Sequence, residues 1–139
     1  MVSLSRGIRI GVEIFDLSGN TRFSAVTSSY IRGASGALIM CDVTDKTSWN
    51  EIPNILKVIK EEKGEELPIV IVGTKADLDH ERQISRIDAY LAAGEYEYPY
   101  VETSAKEGTN IEDALTKLVQ FIYDRYCSNL YIFYSAINI

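Results

Sequence analysis

Two cysteines, one histidine and three prolines are all that this chain of 139 residues holds of those types, and each scarcity closes off a class of chemistry. Cys41 and Cys127 lie far from each other and from any partner at metal-ligand spacing, so no zinc site is indicated. Two thiols also make a poor disulfide framework, and a reducing compartment fits them best. His80 stands between Asp79 and Glu81 in an acidic, loop-like run, the setting of a solvated side chain, which argues against histidine-based hydrolysis. Positive charge is scarce too: 14 lysines and arginines face 20 acidic residues, for a net charge of −6, with no local basic cluster. That balance opposes the counterion release that drives nucleic-acid binding, so neither nucleic acid nor an anionic membrane is expected as a partner.

Long apolar runs are missing as well. Residues 1–10 carry no apolar stretch leading to a small-residue cleavage site, so no signal peptide is expected. The apolar run 130–137 is less than half of the roughly 20 residues that a spanning helix needs. A cytoplasmic protein is the expectation.

What is present is a core. Hydrophobic residues make up 46% of the chain, enough at this length to bury one core but not two. Ile8, Ile10, Val12 and Ile14 alternate with other residues and lead through Phe15 into Asp16, the pattern of a strand that delivers a carboxylate at its end. Residues 37–43 and 67–72 are nearly continuous apolar runs, as in strands covered on both faces, and 98–101 is a shorter version. Between them fall helical stretches. Trp49, Ile52, Leu56 and Ile59 form a stripe ending near Gly64, with Pro53 tolerable only in a first turn. Ser85 and Asp88 resemble a capping box ahead of a short helix that stops at Gly94. Asn110 is expected to cap a third helix, whose apolar face is Ile111, Ala114, Leu115, Leu118 and Ile122. Four strands alternating with helices predict an α/β fold of three layers around a parallel sheet, with ligands bound beyond the strands' carboxyl ends.

Three of those ends carry unusual clusters. The first gives Asp16-Leu17-Ser18-Gly19, where the carboxylate could hold a magnesium-bound water and the glycine could bring its N–H against a phosphate. The third gives Thr74-Lys75-Ala76-Asp77. A loop carboxylate is a two-pronged acceptor suited to the paired N–H donors of guanine and mismatched to adenine, while a lysine stem can lie along the base plane. The fourth gives Glu102-Thr103-Ser104-Ala105-Lys106, where a small residue lets a backbone N–H approach the guanine carbonyl and the serine hydroxyl can brace a neighbouring loop. Each cluster alone is more often a turn or a helix cap. Their order, each on its own strand, is the specific signal.

With these residues the chain resembles a Ras-superfamily small GTPase of the Rab type between about Gly7 and Tyr126. Residues 15–23 match the family's W-D-T-A-G-Q-E-R-F, residues 28–36 resemble the Rab-like S-S-Y-Y-R-G-A-x-G, and 74–77 and 103–106 match its guanine-reading motifs. The Rab flavour rests on Arg22, Phe23, Ser29, Tyr30, Arg32 and Gly33. The resemblance implies a Ras-like P-loop-GTPase fold, GTP or GDP as ligand with magnesium, and a vesicle-traffic switch. Asp16, Gly19, Thr74, Lys75, Asp77, Ser104, Ala105 and Lys106 would bind nucleotide, and Asp16 would reach magnesium through water. Protein effectors or regulators would bind along 23–32, which runs from Phe23 to Arg32.

The same comparison exposes departures. The family begins with G-x-x-x-x-G-K-[ST], which cradles the phosphates, and none of the 139 residues form it; the family's first strand, first helix and first switch loop are also missing. An N-terminally truncated domain over residues 1–126 with an apolar tail over 127–139 is therefore expected. About five lost phosphate contacts remove on the order of 7 to 15 kcal/mol. Asn20 occupies the position of the water-orienting glutamine and is one methylene too short, so hydrolysis should be impaired or absent. Cys127 lies well inside the terminus, so no prenyl anchor is expected. A nucleotide-free module that binds GTPase effectors, or a gene remnant, are the alternative readings. The tail is rich in aromatic and branched residues; a strand there would run parallel and fill the slot of the missing central strand, and an open edge would favour a homodimer.

Overall fold

A computed structural model describes residues 1–4, 7–17, 25–64, 66–126 and 134–138. Two short strands, β1 (Val2–Ser3) and β2 (Arg9–Ile10), form an antiparallel hairpin. The main sheet has five strands: β3 (Val12–Asp16), β4 (Gly36–Asp42), β5 (Ile69–Thr74), β6 (Tyr100–Glu102) and β7 (Tyr134–Asn138). Its order is β3-β7-β4-β5-β6, and every pairing is parallel. The expected single strand from Ile8 to Ile14 is thus two strands broken at Gly11. Alternation continues on both sides of the break, so periodicity alone could not reveal it.

Five helices connect the strands: α1 (Ala25–Gly33), α2 (Lys46–Asn50), α3 (Ile52–Lys63), α4 (Arg86–Glu95) and α5 (Ile111–Tyr126). The stripe that begins at Trp49 is divided between α2 and α3 because Pro53 has no N–H to offer the Trp49 carbonyl four residues back. That carbonyl accepts from the Glu51 N–H instead, and Pro53 falls in the first turn of α3. Gly64 ends α3 at φ 86°. Ser85 caps α4 as expected, its Oγ accepting from the Asp88 N–H at 3.1 Å and donating to the Asp88 carboxylate at 2.8 Å. Asn110 behaves differently from a conventional cap. It sits in the left-handed region at φ 56°, and its side-chain amide donates 2.8 Å to the Glu102 carbonyl, closing the outer side of β6.

Successive residues of a strand point to opposite faces, so β4 and β5 feed two cores. Ala37, Ile39, Cys41, Ile69 and Ile71 pack with Ile31 of α1 and with Ile52, Ile55, Leu56 and Ile59 of α3. On the other face Val70 and Val72 pack with Ala114, Leu118, Val119 and Ile122 of α5 and with Val2, Leu4 and Ile10 of the hairpin. Helix, sheet, helix is the predicted three-layer arrangement. Among the described residues no helix is long and apolar enough to cross a membrane.

Gly73, near the end of β5, is required by a close approach. A Cβ there would collide with the Tyr100 hydroxyl and lie 2.9 Å from its ring carbon Cζ and 3.0 Å from Val43. Tyr100 has little room to yield, because it meets Trp49 edge-to-face at 5.7 Å and donates to Glu102 at 3.1 Å. Gly73→Ala should therefore cost about 1–3 kcal/mol, read as a lower urea midpoint at unchanged slope.

Candidate functional site

The carboxyl ends of β4, β5 and β6 come together, and each contributes to one cluster. Asp42 ends β4 in register with Thr74 of β5. The chain then turns at Lys75, a non-glycine residue at φ 60°, and this turn brings Asp77 back over the end of β6. The Ala76 N–H donates to the Thr103 carbonyl at 3.0 Å, and the Leu78 N–H to the Lys75 carbonyl at 3.0 Å. Ser104, almost wholly buried, donates its hydroxyl to Asp77 Oδ1 at 2.6 Å. Its Oγ also accepts from the Glu107 N–H at 3.1 Å, while its backbone pairs with Thr109 in both directions. The loop carrying Thr74, Lys75 and Asp77 and the loop carrying Ser104, Ala105 and Lys106 are thus locked together by bonds internal to the chain.

The electrostatics keep the cluster charged. The Ser104 hydroxyl holds the Asp77 carboxyl below its ordinary range. The Ser104 bond takes one position on Oδ1, and a carboxylate has about four acceptor positions, so two further donors side by side can be accommodated. Asp42 is one-fifth exposed; burial pushes its pKa up, but bonds from Lys75 and Thr44 outweigh burial and lower it. Its Oδ2 lies 2.5 Å from Lys75 Nζ, and its Oδ1 accepts from the Thr44 N–H at 2.8 Å and hydroxyl at 2.7 Å. The Asp42 bond in turn raises the Lys75 ammonium's pKa. A lowered carboxylate stabilises the fold above its unfolded-state pKa and stops doing so as pH falls through its folded value. A raised ammonium stabilises below its unfolded value and stops as pH rises through its folded one. The stability difference between wild type and Asp42→Asn should accordingly be full between about pH 5 and 9 and shrink below about pH 4 and above about pH 10. Denaturant melts across that range check it.

Behind the cluster, a network that sequence reasoning missed braces the sheet edge. Arg82 grips Glu102 with two bonds, 2.7 and 2.9 Å, and reaches Asp79 at 3.0 Å; Arg86 adds a 3.1 Å contact to Glu102. The Arg82 and Glu102 side chains are only 10% and 14% exposed, so water does not screen them well. Burial and the Glu102 carboxylate push the Tyr100 phenol far above its ordinary pKa, which keeps it a donor. An open cavity of about 460 Å³ adjoins this network and reaches Asp77 and Ser104 between Arg86, Tyr90, Tyr100 and Asn110. Ala105 and Lys106 are exposed and lie outside its lining.

Asp16 stands exposed at the end of β3, opposite Asn138 of β7. Gly19, Asn20 and Phe23, and with them the start of the 23–32 stretch, lie outside the described residues. The far end of that stretch is on α1. Tyr30 packs against Phe15 with ring centroids 4.7 Å apart, and Arg32 pairs with Glu62 of α3 at 3.2 Å. Among the described residues no three metal-ligating groups gather in one place, so they do not by themselves form a magnesium cage. Cys41 is buried, its thiol pushed up to about 12 by burial, which makes it a packing residue and not a nucleophile.

A parallel sheet with helices on both faces is the fold the motifs imply, and the comparisons agree with that fold. The family model described as "Ras family" matches residues 2–124. This chain belongs to the Ras family. Its relatives place it with the Rab-like small GTPases. "GTP-binding protein ypt3" of Schizosaccharomyces pombe is 37% identical over 121 residues, covering 84% of this chain and 56% of that protein. "Ras-related protein Rab-13" of Rattus norvegicus is 34% identical over 116 residues, covering 84% and 57%. "Ras-related protein Rab11B" of Nicotiana tabacum is 36% identical over 128 residues, covering 88% and 59%. The Ras-family chain described here therefore spans a little over half the length of the curated relatives it matches.

Proposed function

We propose that this Rab-like chain recognises guanine nucleotide, GTP or GDP, as a switch of the vesicle-traffic type, and that its own hydrolysis is impaired or absent. The observation that carries the reading is the 2.6 Å bond from Ser104 to Asp77, because it brings together the two loops that the family's motifs assign to the base and leaves carboxylate acceptor positions for guanine's paired donors. In this reading Asp77 accepts from the base edge, Lys75 and Thr74 line the loop, and the backbone at Ala105 and Lys106 faces the guanine carbonyl. Asp16 and Gly19 take the roles toward the phosphates and any magnesium that the family's motif gives them. With no G-x-x-x-x-G-K-[ST] in these residues and Asn20 at the glutamine position, turnover by these residues is slow and affinity rests on the base. Residues 1–126 act as the nucleotide domain, residues 134–138 of the tail complete its sheet, and effectors or regulators meet the side bearing Tyr30 and Arg32. The cytoplasm is the place of action.

Titration of the chain with GDP and ADP tests the base reading. GDP should bind more tightly, and Asp77→Asn should abolish the preference. That variant keeps an oxygen to accept from Ser104 and should stay folded. Two charge-assisted bonds at about 1.5–3 kcal/mol each predict a loss of at least tenfold for GDP. Equal affinity for the two nucleotides in wild type would overturn the reading.

A further inference from the structure

The Asp42–Lys75 pair is more elaborate than a turn requires. Lys75 occupies the left-handed region, which residues with a Cβ rarely adopt, and such outliers persist where the surroundings hold them. Its side chain is 56% exposed, so without an anchor its four-carbon stem would swing in solvent. The anchor is itself fixed from three directions. Oδ1 of Asp42 accepts twice from Thr44, the Asp42 N–H donates to Ser48 Oγ at 2.9 Å, and the strand register places Asp42 beside Thr74, whose hydroxyl donates to the Cys41 carbonyl at 3.2 Å. An exposed ion pair of this kind adds little to stability, whereas a braced carboxylate holding a half-exposed lysine determines where the lysine's methylenes lie.

We propose that Asp42 is a positioning residue for the purine site: by anchoring the Lys75 ammonium it holds the lysine stem in place as the apolar platform on which the base lies. The proposal rests on the guanine reading above and adds a residue from a different strand. It also divides the work between two carboxylates. Asp77 meets the edge of the base, which differs between purines, and the stem held by Asp42 meets the face, which does not. Losing Asp42 therefore weakens every purine nucleotide alike and leaves the preference for guanine intact.

The test is a GDP and ADP titration of the full chain, followed by amide shifts, for wild type, Asp42→Asn, Lys75→Met and the double variant, with melting midpoints measured alongside. Asp42→Asn should weaken GDP and ADP by the same factor, about three- to tenfold, the scale set by freeing part of a lysine's rotamers. In the Lys75→Met background, where no ammonium remains to anchor, the same substitution should have no further effect. Asp42→Glu, which keeps the charge, should recover part of the loss, and Thr44→Val, which removes one of the two bonds from Thr44 that fix the Asp42 carboxylate, should lose less than Asp42→Asn and by the same factor for both nucleotides. An equal loss in both lysine backgrounds, wild-type binding by Asp42→Asn, or a changed GDP-to-ADP ratio would each overturn the proposal. Wild type that does not distinguish GDP from ADP would sink the guanine reading itself, and the positioning role with it, a result visible before any variant is made.

Discussion

Deletion of residues 134–139 should lower the thermal midpoint by about 10 °C or more, the shift that a loss of a few kcal/mol produces in a domain of this size. The reason is topological. Among the described residues β3 is hydrogen-bonded into the main sheet through β7 alone, with Val12, Glu13, Ile14, Phe15 and Asp16 in register with residues 134–138. β7 is in turn paired to β4 at Gly36, Ala37 and Leu38. Without it, β3 loses its ladder, its backbone groups must find water, and Val12 loses the support that sets it against the α5 core. Asp16 would go with it. A midpoint that does not move would show that the sheet holds β3 by other means and that the strand order is wrong.

Glu102→Ala should cost about 3 kcal/mol. Removing one partner of a buried ion pair leaves the other charge uncompensated, typically about 3–5 kcal/mol, and the lower end applies because Arg82 keeps Asp79 and Arg86 can turn to water. The loss should exceed that from Glu66→Ala, whose partner Arg125 is 41% exposed. Urea denaturation of the two variants makes the comparison. Because Glu102 immediately precedes Thr103 and Ser104, the same change should loosen the Ser104–Asp77 bond, seen as faster amide exchange at Ser104 and Ala76. Equal costs for the two variants would mean that Glu102 is better solvated than its exposure indicates.

The strand ends were legible because the residues there are adjacent in sequence: Thr74 to Asp77 and Thr103 to Lys106 each form a motif readable without knowing the fold. So were the end of α3 and the start of α4, since Gly64, Ser85 and Asp88 act within one turn. What stayed hidden depends on partners distant in sequence. Arg82 and Glu102 are 20 residues apart, and nothing in the sequence links them until the sheet edge brings them together. Asp42 lies inside the apolar run 37–43, and its role emerges only when β5 carries Lys75 beside it. Asn110 stands ahead of α5 as expected, its carbonyl accepting from the Ala114 N–H, while the bond from its amide to the Glu102 carbonyl depends on a strand the local sequence does not show. The two-residue strands β1 and β2 are too short to show a period at all. The tail gave a partial signal: its composition indicated a strand, and a vacant place in the sheet indicated where it would run.

The bond between Ser104 and Asp77 also bears on timing. The frame between the two loops is set by hydrogen bonds within the chain, from Ser104 to Asp77 and from the Ala76 N–H to the Thr103 carbonyl. A base that meets two loops already bonded to each other does not have to assemble them, so its capture should be a single fast phase whose rate climbs in proportion to nucleotide concentration, without the plateau that a slow rearrangement of these loops would impose.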